Sequence, residues 1–232
     1  MSRAVFTSRE GGVSKAPYDS FNLASHVGDA AESVMLNRME LAKRIGLSAE
    51  SIFYMNQVHG AEVAEIKADS DSNFAPSVDA LFTLERRFAL VTLIADCVPL
   101  LLHGPNAVAA VHVGRKGLVA GVFQQTLQHF IKHGIASSEV SAEIGASICA
   151  NCYEVDIDVY EDVTSKVPAA ATKNTSQNGK PCLGVEAGLI TLLERSGINW
   201  SSVNKCTLHD PGFFSYRRDG ITGRQAGVIW LE

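Results

Sequence analysis

Apolar positions along the chain follow two periods. Met35, Met39, Ala42 and Ile45 recur every three or four residues, Asp29 with Glu32 has the spacing of a capping box, and Gly46 suits a C-terminal cap, so the spacing predicts a first amphipathic helix here. Val119, Val122, Phe123, Leu127, Phe130 and Ile131 repeat the pattern across 118–133 and stop at Gly134. Val155, Val159 and Val163 stand four apart before Pro168, and Val185, Leu189, Leu192 and Leu193 form a last stripe before Gly197. Short β-rich runs lie between the stripes, at 51–54, 61–66, 80–84, 88–95, 107–113, 142–148, 203–208 and 228–231. Two of them, FALVTLIA and AVAAVHV, are apolar nearly throughout, which marks strands covered on both faces.

Strands outnumber helices and do not alternate strictly with them, which predicts an α+β fold with mixed sheets and not a doubly wound parallel sheet. The polar stretch AAATKNTSQNGK at 169–180 reads as a loop inside one domain, and no repeat or linker interrupts the chain.

Composition narrows the function. With 20 Lys+Arg against 25 Asp+Glu the net charge is −5, which excludes a generally basic nucleic-acid surface. A chain of 232 residues buries on the order of 70% of its unfolded surface, so folding requires neither disulfide nor metal, and any metal serves function. The cysteines, at 97, 149, 152, 182 and 206, are odd in number and point to free thiols in a reducing compartment. The segment MSRAVFTSREGG has no apolar signal core, and the run 88–102 is broken by Asp96 and Pro99, short of the ~20 apolar residues a membrane span requires. A cytoplasmic protein without a membrane partner is expected.

Several familiar chemistries lack their motifs: there is no G-x-G-x-x-G after a strand, no P-loop, no H-E-x-x-H and no G-x-S-x-G. Cys149-Ala-Asn-Cys152 has the C-x-x-C form, but a structural zinc site needs a second pair and none stands at a usable spacing, so it reads as two incidental buried thiols more readily than as a thioredoxin-like redox pair. Three residues are placed more suggestively. His59 follows a β-run in Asn56-Gln57-Val58-His59-Gly60, where glycine would free the backbone; Cys97 comes just after the buried run 88–95; His112 ends the buried run 107–111. Two imidazoles and a thiolate at strand ends suit Zn²⁺ or copper with one position open to water, although their spacing alone does not distinguish ligands from a buried thiol and solvated histidines. Asp96, beside Cys97, is a candidate to orient a ligand or carry a proton, or a structural carboxylate.

Gly114-Arg115-Lys116-Gly117 opens a helix and is either a phosphate cradle or a solvated basic turn. Phe213-Phe214-Ser215-Tyr216-Arg217-Arg218-Asp219 gathers aromatics and guanidiniums that either meet a substrate or fill a core beside a surface ion pair.

The segments SREGGVSKAPYDSFNLASHVGD, NQVHG, ADCVPLLL, HVGRKGL, CYEV and FFSYRRDGITGR, in this order from Ser8 onward, together resemble the YfiH-type laccase-domain family, whose members carry both polyphenol oxidase and purine nucleoside phosphorylase names. The resemblance implies one domain over 1–232, a four-layer αββα sandwich related to cytotoxic necrotizing factor-like cysteine hydrolases. It implies a metal triad of His59, Cys97 and His112 holding zinc or copper. It further implies purine nucleoside phosphorolysis, with adenosine deamination and methylthioadenosine cleavage beside it. On this reading Arg9, Arg115 and Lys116 hold phosphate, Ser215, Arg217 and Arg218 line the substrate rim, and the protein is a monomer or weak homo-oligomer. Alternatives are a cysteine hydrolase with Cys97 as nucleophile and His112 as base, for instance in cell-wall precursor editing, and a non-catalytic binding module. A copper polyphenol oxidase is weaker, because its His-rich ligand sets strain a chain with 7 His. The sequence departs from the family's usual H-A-G-W-R-G at Arg115 and Lys116, carries an extra thiol at Cys149, and shows no late-helix aspartate at Cys182-Leu183-Gly184.

Overall fold

The computed structural model describes residues 1–176 and 178–232. In chain order the elements are β1 (Ser2–Phe6), α1 (Ala31–Ile45), β2 (Ile52–Phe53), β3 (Val63–Ile66), β4 (Ala80–Thr83), β5 (Ala89–Ile94), β6 (Val98–His103), β7 (Val108–Val113), α2 (Arg115–Ala120), α3 (Val122–Lys132), β8 (Ser141–Ile144), α4 (Ile157–Lys166), β9 (Ala171–Thr175), β10 (Pro181–Leu183), α5 (Val185–Arg195), β11 (Asn199–Ser202), α6 (Tyr216–Asp219) and β12 (Gln225–Leu231). One sheet has the order β1-β12-β5-β2, a second β11-β8-β6-β7-β4-β3, and β9 with β10 forms a separate pair. Both large sheets are mixed, since β2 runs parallel to β5, and β3 and β11 run parallel to β4 and β8, among otherwise antiparallel neighbours.

The alternation of side chains along each strand explains how the layers stack. In β5, Ala89, Val91 and Leu93 face Leu41 and Ala42 of α1, whereas Leu90 points the other way, into an interior shared with Leu81, Leu101, Val108 and Ile229. In β7, Ala109, Val111 and Val113 pack under α2, α3 and α5 through Leu118, Phe123, Phe130 and Leu189. Val108 and Ala110 turn inward between the sheets. Helix, sheet, sheet and helices follow in that order, and the two all-buried runs of the sequence are the central strands β5 and β7. Among the described residues no helix is long and apolar enough to cross a membrane.

The structure corrects several local expectations. Met35 and Met39 are exposed, and α1 buries Val34, Asn37, Leu41 and Ala42 instead. Its N-cap is Ala30 without a side-chain cap, because Asp29 is taken up by Ser14 and Asn22. The run 118–133 is divided by Gly121, whose φ of 84° breaks it into α2 and α3. The stretch 203–208 is not a strand; the strand is β11, just before it. β1, β6, β9 and β10 arise where no run was read, β9 and β10 within or beside the supposed loop. β6 was obscured by Pro99, whose missing N–H costs nothing in the register it occupies opposite His112.

Candidate functional site

Two tight connections and one strand end build the site. Residues 95–97 carry the chain from β5 in one sheet to β6 in the other, placing Cys97 where the sheets meet. His112 continues the inward-facing row of Val108 and Ala110 on β7 and is 3% exposed. His59 comes from the connection between β2 and β3. The ligand atoms of His59, Cys97 and His112 all lie within 4.8 Å of one another, and the two imidazole rings meet edge to face with centroids 4.8 Å apart.

A residue absent from the sequence reading organises this group. Asp79, fully buried at the head of β4, receives a 2.7 Å hydrogen bond at Oδ1 from His112 Nδ1. The same carboxylate accepts the backbone N–H groups of Val58 at 3.2 Å, His59 at 3.0 Å and Gly60 at 2.6 Å. That cradle holds His59 itself in the left-handed region, φ 60°, which a non-glycine residue occupies only at a cost. The strain therefore sits on His59 and not on Gly60. A second strained residue, Asp96 at φ 99°, precedes Cys97. The one signal in the sequence for Asp79 was a charged residue set directly before an apolar run.

The charges around the two imidazoles act in opposite directions. Burial alone would depress His112, but attraction to the Cys97 sulfur and the hydrogen bond it donates to Asp79 outweigh it and hold the imidazole up to about 9. His59 is pushed the other way, first by burial and then by repulsion from His112, Lys116 and Arg115, against a weaker pull from Asp79. Burial would raise Asp79, yet its hydrogen bonds from His112 and the Gly60 and His59 amides bring it below the usual carboxylate range. The anchoring of Nδ1 by Asp79 leaves Nε2 of His112 for the cluster, the second-sphere arrangement usual for a metal-ligating histidine. Donor types, convergence and this anchoring all fit a zinc-sized ion.

Gly114 completes the fit. A Cβ there would lie 2.8 Å from His59 Nδ1 and 3.4 Å from Cys97 Sγ. Its φ of −83° is open to any residue, so glycine is required for space alone. Gly114→Ala is expected to displace His59, with metal affinity falling at least about 10-fold while the unfolding midpoint changes little. Equilibrium competition against a metal-binding dye measures the first and thermal melting the second.

The cluster lines a hollow of about 290 Å³ together with His26, Gln57, Tyr216 and Arg224, at the small end of the roughly 300–1,000 Å³ range of small-molecule sites. Gln57 is locked to β5 by paired 2.8 Å bonds with the Leu93 backbone. Arg224 is largely withdrawn from water, so burial lowers its pKa against the opposing pull of Cys97 and Asp96. His26 and Arg224 were not singled out from the sequence, although both fall in segments that carried the family resemblance.

Other expected site residues lie elsewhere. Arg9 binds the Asp19 carbonyl at 2.7 Å and its carboxylate at 3.2 Å, on a separate hollow with Glu10, Ser20 and Pro211. Ser215 is buried and caps α6 by accepting from the Arg218 amide. Arg218 binds Asp219 at 2.8 and 2.9 Å and the carbonyls of Thr207 and Phe213. Arg217 donates to the Glu154 carbonyl and lies over the Tyr153 ring. Asp96 accepts from Thr207 Oγ1 and the Arg217 amide, each at 2.7 Å, so both its oxygens fasten the wall of the site. Arg115 and Gly114 open α2 beside a small apolar hollow shared with Cys97 and Tyr153, and Lys116 is exposed. The Cys149–Cys152 pair is not isolated: Cys206 and His209 join it, all four ligand atoms within 4.8 Å of one another. No fixed spacing announced a partner so far along the chain.

Fold and donors together define a two-sheet α+β protein with a His/Cys centre at the sheet junction, suited to a metal. The chain belongs to the multi-copper polyphenol oxidoreductase laccase family, whose model matches residues 3–232. It is 42% identical over 233 residues to a purine nucleoside phosphorylase of Corynebacterium glutamicum, covering 99% of this chain and 94% of the relative. Among solved structures it resembles a DUF152 protein of Neisseria meningitidis, with TM-score 0.90, 34% identity and 100% and 94% coverage. It also resembles YfiH of Bacillus licheniformis, with TM-score 0.91, 27% identity and 100% and 93% coverage.

Proposed function

We propose that this chain is a zinc-dependent purine nucleoside phosphorylase that cleaves adenosine, inosine, guanosine and methylthioadenosine, with adenosine deamination as a companion activity. The observation that carries the reading is the convergence of His59, Cys97 and His112 in a hollow that also presents Arg224. The near-complete match to a relative named purine nucleoside phosphorylase supports it.

In phosphorolysis a phosphate oxygen bonds to the anomeric carbon as the bond to the purine nitrogen breaks, the electron pair leaves with the base, and the base takes up a proton. His59, Cys97 and His112 would hold the zinc ion, which supplies a Lewis acid when bound. Arg224, a cation of the hollow largely withdrawn from water, attracts the phosphate dianion more strongly than an exposed lysine does. Tyr216 at the mouth offers a ring for the purine. His26, whose pKa is lowered by burial and then by Arg224 and Arg38, can relay a solvent proton to the departing base, taking one up at one ring nitrogen as it gives one from the other. On this reading phosphate binds at Arg224 in place of Arg9, with Arg115 and Lys116 adding a field at the rim, and Tyr216 replaces Ser215, Arg217 and Arg218 as the substrate contact. A reducing cytoplasm would keep the cysteines out of disulfides and available as ligands.

Zinc-loaded protein is expected to release hypoxanthine from inosine only when phosphate is present, with ribose 1-phosphate as the second product. Arg224→Gln should raise the phosphate KM at least about 10-fold while the inosine KM changes less. Phosphate-independent release of hypoxanthine, or an unaltered phosphate KM, contradicts the reading.

One observation favours a second reading. Cys97, His112 and Asp79 have the order of a nucleophile–base–carboxylate relay, the constellation of a metal-free cysteine hydrolase such as the family resemblance implies. Amide hydrolysis by chelated protein, abolished by alkylation of Cys97, would establish it. The copper oxidase reading has less support, since the hollow gathers only His26, His59 and His112.

A further inference from the structure

We propose that Cys149, Cys152, Cys206 and His209 form a second, structural zinc site that fixes the wall of the catalytic hollow. Their four ligand atoms lie within 4.8 Å of one another. A tetrahedral ion with Zn–S bonds of about 2.3 Å needs donors about 3.8 Å apart, so small side-chain rotations close the set. Cys152 Sγ already stands 3.0 Å from His209 Nε2, and the Cys149 amide donates to Cys206 Sγ at 3.3 Å, the kind of N–H···S bond that orients a thiolate ligand.

The two pairs are C-x-x-C and C-x-x-H, each on its own loop, and the backbone brings them together. Ser147 bridges to Cys206 and accepts the Thr207 amide at 3.1 Å. Three soft sulfurs and an imidazole in a closed set are the donors of structural zinc, with no position left for substrate. The triad, with three ligands, keeps one.

The position explains what such a site does. Thr207, next to Cys206, holds Asp96, the residue before Cys97. The Ile148 amide, next to Cys149, donates to the Asp96 carbonyl at 2.9 Å. Tyr153, next to Cys152, lines the small hollow against Cys97 and Arg115. An ion joining the two loops therefore clamps both supports of the strained Asp96–Cys97 turn, and these four residues act as positioning residues.

Reduced protein, freed of metal anaerobically and titrated with Co²⁺, is expected to bind two ions. Cys149→Ser/Cys206→Ser should bind one and lose most of the thiolate-to-cobalt absorption. Cys97→Ser should keep most of that absorption and still gain thermal stability from added zinc. His209→Ala alters an exposed side chain and serves if the double variant does not fold; it should weaken the second ion at least about 10-fold and spare the first. Failure of the wild-type protein to bind any ion overturns the proposal, as does uptake by the double variant of as many ions as the wild type binds; a single wild-type ion that the double variant loses rejects the triad and leaves this site standing. A Cys149–Cys152 disulfide in thiol-blocked protein taken directly from cells also overturns it and reassigns the pair to redox chemistry. Loss of phosphorolysis with two ions bound would leave this site standing and reject only the proposed function.

Discussion

Cys97→Ser is expected to lower phosphorolysis by more than about 100-fold and to remove one metal ion per chain, with little change in the unfolding transition of the metal-free protein. Cys97 contributes the only sulfur of the triad and lies on a connection whose backbone is fastened independently of its side chain. The Asp96 carboxylate holds Thr207 and Arg217, and the Asp96 carbonyl holds Ile148. A hydroxyl at the same place keeps the volume but is a poor partner for a soft ion. Metal analysis with steady-state kinetics on one preparation measures both effects. Full metal content with lost activity would favour the nucleophile reading over the ligand reading.

Asp79→Asn should have the second-largest effect and a different signature. The carboxylate serves His112 on one side and three consecutive amides on the other. An amide cannot accept at both positions: its NH₂ must face either the His112 ring or the backbone donors. If the ring is misdirected, metal affinity falls by about 10- to 100-fold. If the donors are abandoned, the left-handed turn at His59 loses its support, and stability drops by roughly 3–5 kcal/mol, as for a broken buried charge pair. Both losses are expected in part, measured by metal competition and by denaturant unfolding. A variant with wild-type affinity and stability would remove Asp79 from the organising role.

Much of the layering was legible because β5 and β7 are apolar on both faces, and only strands covered on both sides tolerate that. α5 was legible from its stripe and the glycine after it. What was not legible depended on tertiary context. The methionines of α1 have helical spacing but face outward, because Asn37, which no hydrophobic pattern selects, is buried by bonds to Ser14 and to the Ser20 and Asn22 carbonyls. β6 contains a proline, which argues against a central strand until its partner's register is known.

The site divides in the same way. His59, Cys97 and His112 attract notice as soft donors at strand ends, whereas Asp79 is an ordinary acid in sequence and decisive only once its four hydrogen-bond donors surround it. Arg218 stood out as a cation and proves to be spent on Asp219 and backbone carbonyls. Arg224, directly before β12, carries no local sign that the fold will bring it to the same hollow as Cys97. The Cys206–His209 pair was missed because loop closure over a long separation leaves no spacing to read.

Anomalous diffraction at the zinc edge, from crystals of zinc-replete protein shown to turn over inosine with phosphate, probes the central claim most directly. A peak about 2.0–2.3 Å from His59, Cys97 and His112 together is the expected result. An active protein with no peak there, or with the three side chains turned into separate environments, would contradict it.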